Sequence, residues 1–407
     1  KLNSKLFDEG LKHKLFCIQS EKGTGKTTSL INNLFESDKS APESVLFISS
    51  RRTFGIKLLS DLKKYGFELY SDIKEQFISV KKIIIQINSL QRLCNIDYEY
   101  VIIDEIESLA RYITSGHFMQ NNNSSIIVSD LEYRIKESSK TIIMDADLSD
   151  RTINYCKFAM KLKRKNFYIL KNNMMVFNNY TIKYTVYDNW VIHILLKIKA
   201  KKKLVIPMAS NNKAKDLQDL IKIKYPKIKI LLIHKETDDN SKLEILLNVN
   251  TDWIKYDVVI YTPTVCMGVS FDVKDYFDYI FAYGCHESLG SQEFCQMIHR
   301  TREPKNKTIY LAIDKYNYYN IEERITREIA EEVICNDYYL SKYDIHNNLI
   351  PKKYGKDRIL EYPYKNVDVL YDLYLRNSIE RIEDINNFTA SLFGYLKYKK
   401  YQFKYLK

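Results

Sequence analysis

A glycine-rich segment near the start of the chain has the residue types needed to bind phosphate. It reads Ser20-Glu21-Lys22-Gly23-Thr24-Gly25-Lys26-Thr27-Thr28 and lies between an apolar stretch and a helical pattern. The glycines let successive backbone N–H groups point at an anion, and the helix adds the positive end of its dipole. A turn that only caps the helix is the alternative. The nucleotide-binding residues predicted here are Gly23, Thr24, Gly25, Lys26, Thr27 and Thr28, with Lys26 on the terminal phosphates and Thr27 on Mg²⁺.

Two apolar stretches further along the chain end in carboxylates, which a metal-dependent phosphate reaction requires. Asp104 and Glu105 follow the first stretch. We expect Asp104 to bind Mg²⁺ together with Thr27, and Glu105 to act on the attacking water. Asp145 and Asp147 follow the second stretch, and we expect them to sense the terminal phosphate through hydrogen bonds to Glu105 or to a neighbouring domain. A strand that simply ends in a polar turn is the alternative reading of the first stretch.

A second group of candidate residues lies beyond residue 256. The loop at 262–272 is rich in small residues, so its backbone can approach a ligand closely, and Gly268 and Asp272 are predicted to contact nucleotide. In the later helical pattern, Gln296 and Arg300 are four residues apart and share a face. Arginine suits phosphate contacts because its guanidinium stays charged and binds oxygens bidentately. A surface helix with ion pairs is the alternative. The predicted catalytic residues are Lys26, Glu105, Gln296, Arg300 and Arg302.

The composition favours a polyanionic partner. The chain of 407 residues has a formal net charge of +12, with 33 Tyr and 18 Phe among its lysines. Basic groups bind phosphates, and aromatic rings stack on bases. An AT-rich genome would produce part of the same bias, and a charged loop cap is the alternative for the first arginine pair. The predicted nucleic-acid contacts, most of them at the ends of apolar strands, are Arg51, Arg52, Ser89, Arg92, Ser210, Lys213, Thr262 and Thr264.

The order of the apolar segments predicts an α/β fold. Strand-like runs alternate with amphipathic helical segments, a pattern typical of parallel sheets covered by helices on both faces. We predict a first domain at 1–172, a second at 173–316, and a smaller, mainly helical region with a basic and aromatic end at 317–407. Within this last region we expect an amphipathic helix at 321–333 and helices at 367–379 and 382–393. Seven scattered cysteines indicate reduced thiols rather than a zinc site or disulfides. We find no secretory signal and no apolar stretch of roughly 20 residues, and therefore expect an intracellular protein without membrane contact.

Taken together and in order, these motifs resemble those of superfamily 2 helicases. The resemblance covers roughly residues 14 to 313, and it is strongest to the viral replication origin-binding helicases of herpesviruses and their relatives in large DNA viruses, where the module can follow a primase. It rests on the phosphate loop, Asp104-Glu105, 144–147, 262–272 and 296–302. Two departures stand in the last motif. His299 replaces a common glycine, and Arg302 follows Arg300 by two residues instead of three.

The resemblance implies an ATP-dependent helicase or translocase with two tandem RecA-like domains. ATP and Mg²⁺ would bind the first domain, an arginine of the second would complete the site, and the partner would be single-stranded or forked DNA, with 3′ to 5′ movement and RNA still open. A viral replication role implies the host cytoplasm or nucleus, together with a primase domain or other replication proteins. The initial lysine is consistent with a fragment of a longer polypeptide. The alternatives are an ATPase or kinase acting on a small molecule, and an ATP-bound nucleic-acid binding module that does not unwind.

Overall fold

The computed structural model describes most of the chain in two compact units. The first contains residues up to 174 together with 369–380, and the second contains residues 176 to 314 together with 381–406. The predicted domain limits stay predictions, and the helix predicted at 321–333 lies outside the described residues. The described residues are 3–36, 41–49, 51–94, 96–119, 123–162, 166–174, 176–177, 179–265, 269–286, 289–314 and 369–406.

The first unit is built on a parallel sheet of seven strands within the described ranges. The strands are β1 (Leu15–Ser20), β2 (Val45–Ser49), β3 (Glu68–Leu69), β4 (Lys82–Gln86), β5 (Tyr100–Asp104), β6 (Lys140–Asp145) and β7 (Phe167–Asn172). Their spatial order is β3-β4-β2-β5-β6-β1-β7. The helices are α1 (Ser4–Gly10), α2 (Lys26–Ile31), α3 (Arg52–Leu62), α4 (Ile106–Ile113), α5 (Gly116–Met119), α6 (Ser124–Glu137) and α7 (Asp150–Ala159), with short 3-10 turns at Lys63–Tyr65 and Ile87–Arg92 and a π-helical turn at Asn32–Glu36.

Continuous apolar runs explain why these strands occupy the centre of the unit. Phe16, Phe47, Ile102 and Ile143 are all fully buried or nearly so. A parallel strand covered by helices on both faces is apolar along its whole length instead of at alternate residues. Because β5, β6 and β1 are neighbours, their carboxyl ends lie side by side at one edge of the sheet. This is the edge at which open α/β sheets bind ligands.

The second unit repeats this plan. Its strands, again counted over the part that the structure describes, are β8 (Thr181–Tyr184), β9 (Leu204–Pro207), β10 (Ile230–Ile233), β11 (Val258–Tyr261), β12 (Tyr279–Gly284), β13 (Thr308–Ile313) and β14 (Gln402–Tyr405). They pair in parallel in the order β10-β11-β9-β12-β13-β8-β14. The helices are α8 (Tyr187–Lys199), α9 (Asn211–Lys224), α10 (Asp239–Leu247), α11 (Val249–Asp252), α12 (Ser291–Ile298) and α14 (Phe388–Tyr398), with 3-10 turns at Trp253–Lys255 and Pro263–Val265. Helix α13 (Val369–Asn386) belongs to the first unit up to residue 380 and to the second unit from residue 381.

Large aromatic side chains fill the core of the second unit. Trp190, Trp253 and Phe281 are fully buried there. The indole N–H of Trp190 has a hydrogen-bond partner, since Nε1 donates to the carbonyl of Tyr310 at 3.1 Å. Full burial of one large apolar side chain contributes about 1.5–3 kcal/mol, so this aromatic cluster is a main source of the unit's stability.

The C-terminal segment differs from the sequence expectation in one respect. Two helices were expected at 367–379 and 382–393, and the structure contains α13 and α14 in this region. The last residues, expected to be a basic and aromatic tail, form strand β14, which pairs with β8 from Gln402 opposite Thr181. Local sequence contains no sign of a partner strand more than 200 residues away. Among the helices of the described ranges, none combines the length and apolar character needed to cross a bilayer.

Candidate nucleotide site

The phosphate-binding loop has the backbone conformation that its glycines permit. Gly23 and Gly25 have φ angles of 80° and 75°, in the left-handed region that side-chain-bearing residues rarely adopt. A Cβ at Gly25 would meet no atom within 4 Å, so the backbone angle, and not lack of space, requires glycine there. Gly25 directly precedes α2, and its carbonyl accepts the N–H of Ser29 at 2.8 Å. The loop therefore leads into the amino end of a helix, where N–H groups are available for an anion.

Hydroxyl groups hold the loop in place. Thr24 Oγ1 donates to the carbonyl of Glu21 at 2.6 Å and lies 2.6 Å from Ser20 Oγ. Asn172 Nδ2, at the end of β7, donates to the same Ser20 oxygen at 3.0 Å. Ser20 occupies the position at which the strict phosphate-loop pattern has glycine. In this chain its side chain fixes the loop to the neighbouring strand.

Lys26, Thr27 and Asp104 form the centre of the site. Thr27 Oγ1 donates to Asp104 Oδ2 at 2.5 Å, and Lys26 is buried close to this carboxylate. Burial acts to lower the pKa of Lys26, but the charges of Asp104, Asp145, Glu105 and Asp147 outweigh it and raise the pKa. The amine therefore stays protonated, ready to pair with phosphate oxygens.

The same residues fit a magnesium ion. Burial raises the pKa of Asp104, with a further rise from Glu105, while Lys26 and the Thr27 hydroxyl oppose the change. A buried carboxylate in this state gains from a nearby cation. Hydroxyl and carboxylate oxygens are the hard ligands that Mg²⁺ prefers, and it binds through a few such groups plus substrate phosphates. Thr27 and Asp104 would hold the ion.

Glu105 has a strained backbone next to this centre. Its φ is 55°, in the left-handed region, and its N–H donates to Asp104 Oδ1 at 2.9 Å. Its carboxylate lies 3.6 Å from Lys22 Nζ, and both side chains are largely buried. Conformations of this kind cost about 1–3 kcal/mol and are concentrated at functional sites. The sequence indicated Glu105 but gave no sign that Lys22 of the phosphate loop would pair with it.

Asp145 connects to the segment after Glu105. Its Oδ2 accepts the N–H of Glu107 at 3.0 Å, and its Oδ1 accepts the N–H of Asp147 at 3.0 Å. The sequence suggested Glu105 as a partner, whereas the structure provides the backbone of Glu107, two residues further on. The ends of β5 and β6 are thus joined through the first turn of α4.

Glu107 is a buried polar residue to which the sequence analysis assigned no role. Its Oε1 accepts both the N–H and the hydroxyl of Ser149, at 2.7 and 2.8 Å, and its Oε2 lies 3.3 Å from Arg151 Nη2. Burial raises the pKa of Glu107, and Asp145 adds to the rise, while Arg151 and Ser149 oppose it. Ser149 also caps α7 by accepting the Thr152 N–H. A serine in front of a helical pattern was the available signal, but it indicates a cap and not the carboxylate.

In the second unit the structure brings the loop at 269–272 together with the arginines after α12. Phe271 N–H donates to the carbonyl of Arg300 at 2.7 Å, and Arg302 N–H donates to the carbonyl of Phe271 at 3.1 Å. Arg302 Nε is 3.3 Å from Asp272 Oδ1, and both side chains are about half exposed. Arg300 is only 7% exposed, with its Nη1 3.3 Å from the carbonyl of Val269.

Gln296 and Gly268 are the other two residues of the second unit that were predicted to belong to the nucleotide site. Gln296 is half-buried on α12. Gly268 lies outside the described residues.

His299, which departs from the family pattern, is held by aromatic residues of the same unit. Its ring stacks on Phe177 with centroids 3.7 Å apart, and its Nε2 is hydrogen-bonded to the Tyr401 hydroxyl. A glycine could not make these contacts. The C-terminal segment therefore supports the backbone directly in front of Arg300.

The predicted nucleic-acid residues of the first unit differ in their availability. Arg51 and Arg52 are exposed at the start of α3, and Ser89 is half-buried in the 3-10 turn after β4. The guanidinium of Arg92 donates to the carbonyls of Tyr70, Ile73 and Glu75 at 3.0, 2.7 and 2.8 Å. Arg92 therefore anchors the loop between β3 and β4.

The predicted nucleic-acid residues of the second unit lie just after the ends of strands β9 and β11. Ser210 caps α9 by accepting the N–H of Lys213 at 3.4 Å, and the Lys213 ammonium lies 4.7 Å from the ring centre of Tyr187. Thr262 is buried and Thr264 is half-buried, with their hydroxyls 3.4 Å apart. The nucleic-acid roles of both sets stay predictions.

Comparison with solved structures defines the class of fold. The chain is similar to Mss116p bound to single-stranded RNA and AMP-PNP, with a TM-score of 0.53, 11% identity, and coverage of 97% of this chain and 89% of that one. It is also similar to Mycobacterium smegmatis helicase Lhr bound to single-stranded DNA and AMP-PNP, with a TM-score of 0.50, 10% identity, and coverage of 84% and 47%. The predicted α/β fold is confirmed: two units with parallel seven-stranded sheets in the described residues, like the RecA-like domains of these structures, together with C-terminal helices.

Sequence comparison identifies the family. Residues 10–175 and 194–337 match the family model described as "Origin of replication binding protein". The chain belongs to this family.

Three viral relatives illustrate the match. Identity is 28% to a provisionally named helicase of Acanthamoeba polyphaga mimivirus, 28% to a provisionally named helicase/primase complex protein of African swine fever virus (isolate Pig/Kenya/KEN-50/1950), and 31% to the replication origin-binding protein of human herpesvirus 6A. These alignments cover 91%, 74% and 75% of this chain. The chain matches 37%, 29% and 39% of the respective relatives, so it corresponds to about a third of their length.

Proposed function

We propose that this chain is the motor module of a viral DNA helicase, which hydrolyses Mg·ATP to move along and separate nucleic-acid strands. The observation that carries the proposal is the bond between Thr27 and Asp104, with the ammonium of Lys26 buried beside the same carboxylate. This arrangement unites the two nucleotide motifs at one edge of a parallel sheet.

The residues of the first unit have distinct roles in the proposed reaction. Backbone N–H groups of 23–28 bind the phosphates, and Lys26 pairs with the terminal ones. Thr27 and Asp104 hold Mg²⁺, which would neutralise charge on the phosphate oxygens when bound. Glu105 orients the attacking water and accepts its proton. Lys22, 3.6 Å from the Glu105 carboxylate, keeps that side chain directed toward the loop.

The second unit contributes the groups that make hydrolysis fast. In the proposed cycle, Arg300 or Arg302 contacts the terminal phosphate, while Gln296, Gly268 and Asp272 complete the nucleotide environment. Such an arginine is worth roughly 10³ to 10⁵ in rate. The half-exposed Arg302, whose guanidinium interacts with Asp272, has more freedom to reach a ligand than the buried Arg300.

The nucleic-acid partner is proposed to be single-stranded or forked DNA. The formal charge of +12 favours a polyanionic partner. The family description, "Origin of replication binding protein", favours DNA as that partner. The solved relatives were bound to single-stranded DNA in one case and single-stranded RNA in the other. A role in viral genome replication in the host cytoplasm or nucleus follows, and the helicase/primase name of one relative supports a primase partner.

Strand separation tests this function. Forked DNA duplexes with a single-stranded 3′ or 5′ tail are incubated with the protein and Mg·ATP, and release of the labelled strand is followed. We expect release from the 3′-tailed substrate that stops with a non-hydrolysable ATP analogue. ATP turnover without strand release on any substrate would favour a translocase or a small-molecule ATPase. Nucleotide binding without turnover would favour a binding module.

A further inference from the structure

The C-terminal helix α13 contributes two polar residues to the first unit. Asn377 Nδ2 donates to Thr114 Oγ1 at 2.8 Å and to the carbonyl of Ala110 at 3.3 Å, and it is buried. Ala110 lies in the last turn of α4, and its carbonyl also accepts the N–H of Thr114 at 3.3 Å and the Thr114 hydroxyl at 2.8 Å. Asn377 therefore joins the hydrogen bonds at the carboxyl end of α4 with a side chain from the far end of the sequence.

Glu380, one helical turn further along α13, contacts the arginines around α4. Its Oε2 lies 2.5 Å from Arg151 Nη1, and its Oε1 lies 3.6 Å from Arg111 Nη2. The same Arg151 is 3.3 Å from Glu107 Oε2. Arg151 thus bridges a carboxylate of α13 and a carboxylate of α4. Its own side chain is 14% exposed, that of Glu107 is 4% exposed and that of Glu380 is 34% exposed. The Arg151–Glu107 pair is therefore shielded from water, and an ion pair in this state is stronger than one on the surface.

These contacts hold α4 at both ends. Near the start of the helix, Glu107 is fixed by Arg151 and by Ser149, and its N–H is fixed by Asp145. At its end, the helix is fixed by Asn377. Glu105 immediately precedes α4 as its N-cap residue and has a left-handed φ of 55°. A small rotation of a helix this short would move the Glu105 carboxylate relative to the phosphate loop.

We propose that Asn377 and Glu380 are positioning residues, through which the C-terminal helix sets the orientation of Glu105 for ATP hydrolysis. Asn377 acts on the end of α4, and Glu380 acts on its start through Arg151 and Glu107. The inference rests on the proposed function, since it assigns these residues to the hydrolysis step. It also predicts a structural effect on α4 that can be measured without turnover.

The test uses Glu380→Gln and Asn377→Ala in the full chain. Arg376→Gln is the matched control, because Arg376 lies on the same helix and its ion pair with Asp372, at 2.7 Å, is partly exposed. We expect kcat for ATP to fall about tenfold in each test variant, since a displacement of about 1 Å can cost up to 10²-fold. KM for ATP and the Kd of ADP should stay within about twofold, since the phosphate loop is untouched. Arg376→Gln should match the wild type.

Two further measurements separate positioning from general damage. Amide hydrogen exchange in residues 105–114 should be faster in both test variants, with the other segments unchanged, because α4 loses a restraint. In a double-mutant cycle, Glu380→Gln should add little to Glu107→Gln, because both act through Arg151. Glu380→Asp, which keeps the charge, should recover most of the rate.

Each result has a definite meaning. Wild-type kcat and unchanged exchange at 105–114 in both variants would overturn the inference while leaving the proposed function intact. A uniform rise in exchange throughout the first unit would show a purely structural role and would also overturn it. If the wild-type protein shows no ATP turnover, the proposed function fails, and faster exchange confined to 105–114 would still support the link between α13 and α4.

Discussion

Thr27 Oγ1 donates to Asp104 Oδ2 at 2.5 Å, although the two residues are 77 positions apart in the sequence. The bond joins the first turn of α2, which follows β1, to the end of β5. Strands β1 and β5 are separated in the sheet by β6 alone. A hydroxyl and a carboxylate paired in this way present two oxygens to a cation at the start of α2. The relationship is the structural basis for treating the first unit as a nucleotide site.

Removing Lys26 or neutralising Glu105 should stop turnover and preserve the fold. In Lys26→Ala the buried ammonium that faces the phosphates is lost, and in Glu105→Gln the proton acceptor is lost. General-base removal typically costs 10²–10⁴-fold, so we expect kcat to fall by about that factor in Glu105→Gln. Phosphate release and circular dichroism measure the two properties. Turnover close to wild type in either variant would contradict the site assignment.

The raised pKa of Asp104 should make magnesium-dependent nucleotide binding sensitive to pH. The proton competes with Mg²⁺ for this carboxylate, whose pKa in the folded protein lies above the ordinary 3.8 because the group is buried. Affinity for Mg·ADP should therefore be full above the raised pKa of Asp104 and should fall as pH decreases through it. This loss of affinity should begin at a higher pH than it would with an aspartate of ordinary pKa.

Calorimetry in buffers of different ionisation enthalpy measures the linked proton. Proton release on Mg·ADP binding should appear in the wild type within this pH range and should be reduced in Asp104→Asn. Equal proton release in both proteins would assign the linkage to another group.

Arg300 and Arg302 should differ in what their removal does. If Arg302 contacts the terminal phosphate, Arg302→Ala should retain nucleotide affinity and lose roughly 10³–10⁵ in kcat. Because Arg300 is buried against the Val269 carbonyl, Arg300→Ala should also lower the melting temperature. Steady-state kinetics and thermal unfolding separate the two effects. Full-rate hydrolysis by Arg302→Ala would move the catalytic role to Arg300.

Binding to single-stranded DNA should weaken steeply as salt rises. Each neutralised phosphate contributes about −0.7 to the slope of log K against log salt on single strands. Replacing both exposed arginines, as Arg51→Gln with Arg52→Gln, should remove one or two phosphate contacts. The slope should then become shallower by about 0.7 to 1.4. Arg92→Gln is the contrasting variant. Its guanidinium binds three backbone carbonyls, so we expect it to lower stability more than the salt slope. Fluorescence anisotropy over a salt series makes the comparison, and a flat response in the wild type would count against phosphate binding.

Much of the fold and the centre of the site could be predicted from sequence because their signals are local. Apolar runs of strand length, a glycine pair before a helix and carboxylates after a strand are each written in a few consecutive residues. Parallel topology then places Thr27 and Asp104 at the same edge. The family membership and the RecA-like fold, both expected from these motifs, are confirmed by the comparisons.

The remaining features depend on contacts between distant residues. Glu107 meets Arg151, and Arg151 meets Glu380, only once the chain has folded. The pairing of β14 with β8 has no local signal either. Polar residues at strand ends were read as ligand contacts, but Arg92 and Ser210 also have structural roles, as a loop anchor and a helix cap. A residue type suited to phosphate is equally suited to backbone carbonyls and helix ends.

The most direct test of the account is the rate of ATP hydrolysis measured with single-stranded DNA, duplex DNA, RNA and no nucleic acid, in the wild type and in Lys26→Ala. We predict a slow basal rate in the wild type, a strong increase with single-stranded DNA, and no hydrolysis by the variant under any condition. An identical wild-type rate in all four conditions would contradict a motor that moves on nucleic acid.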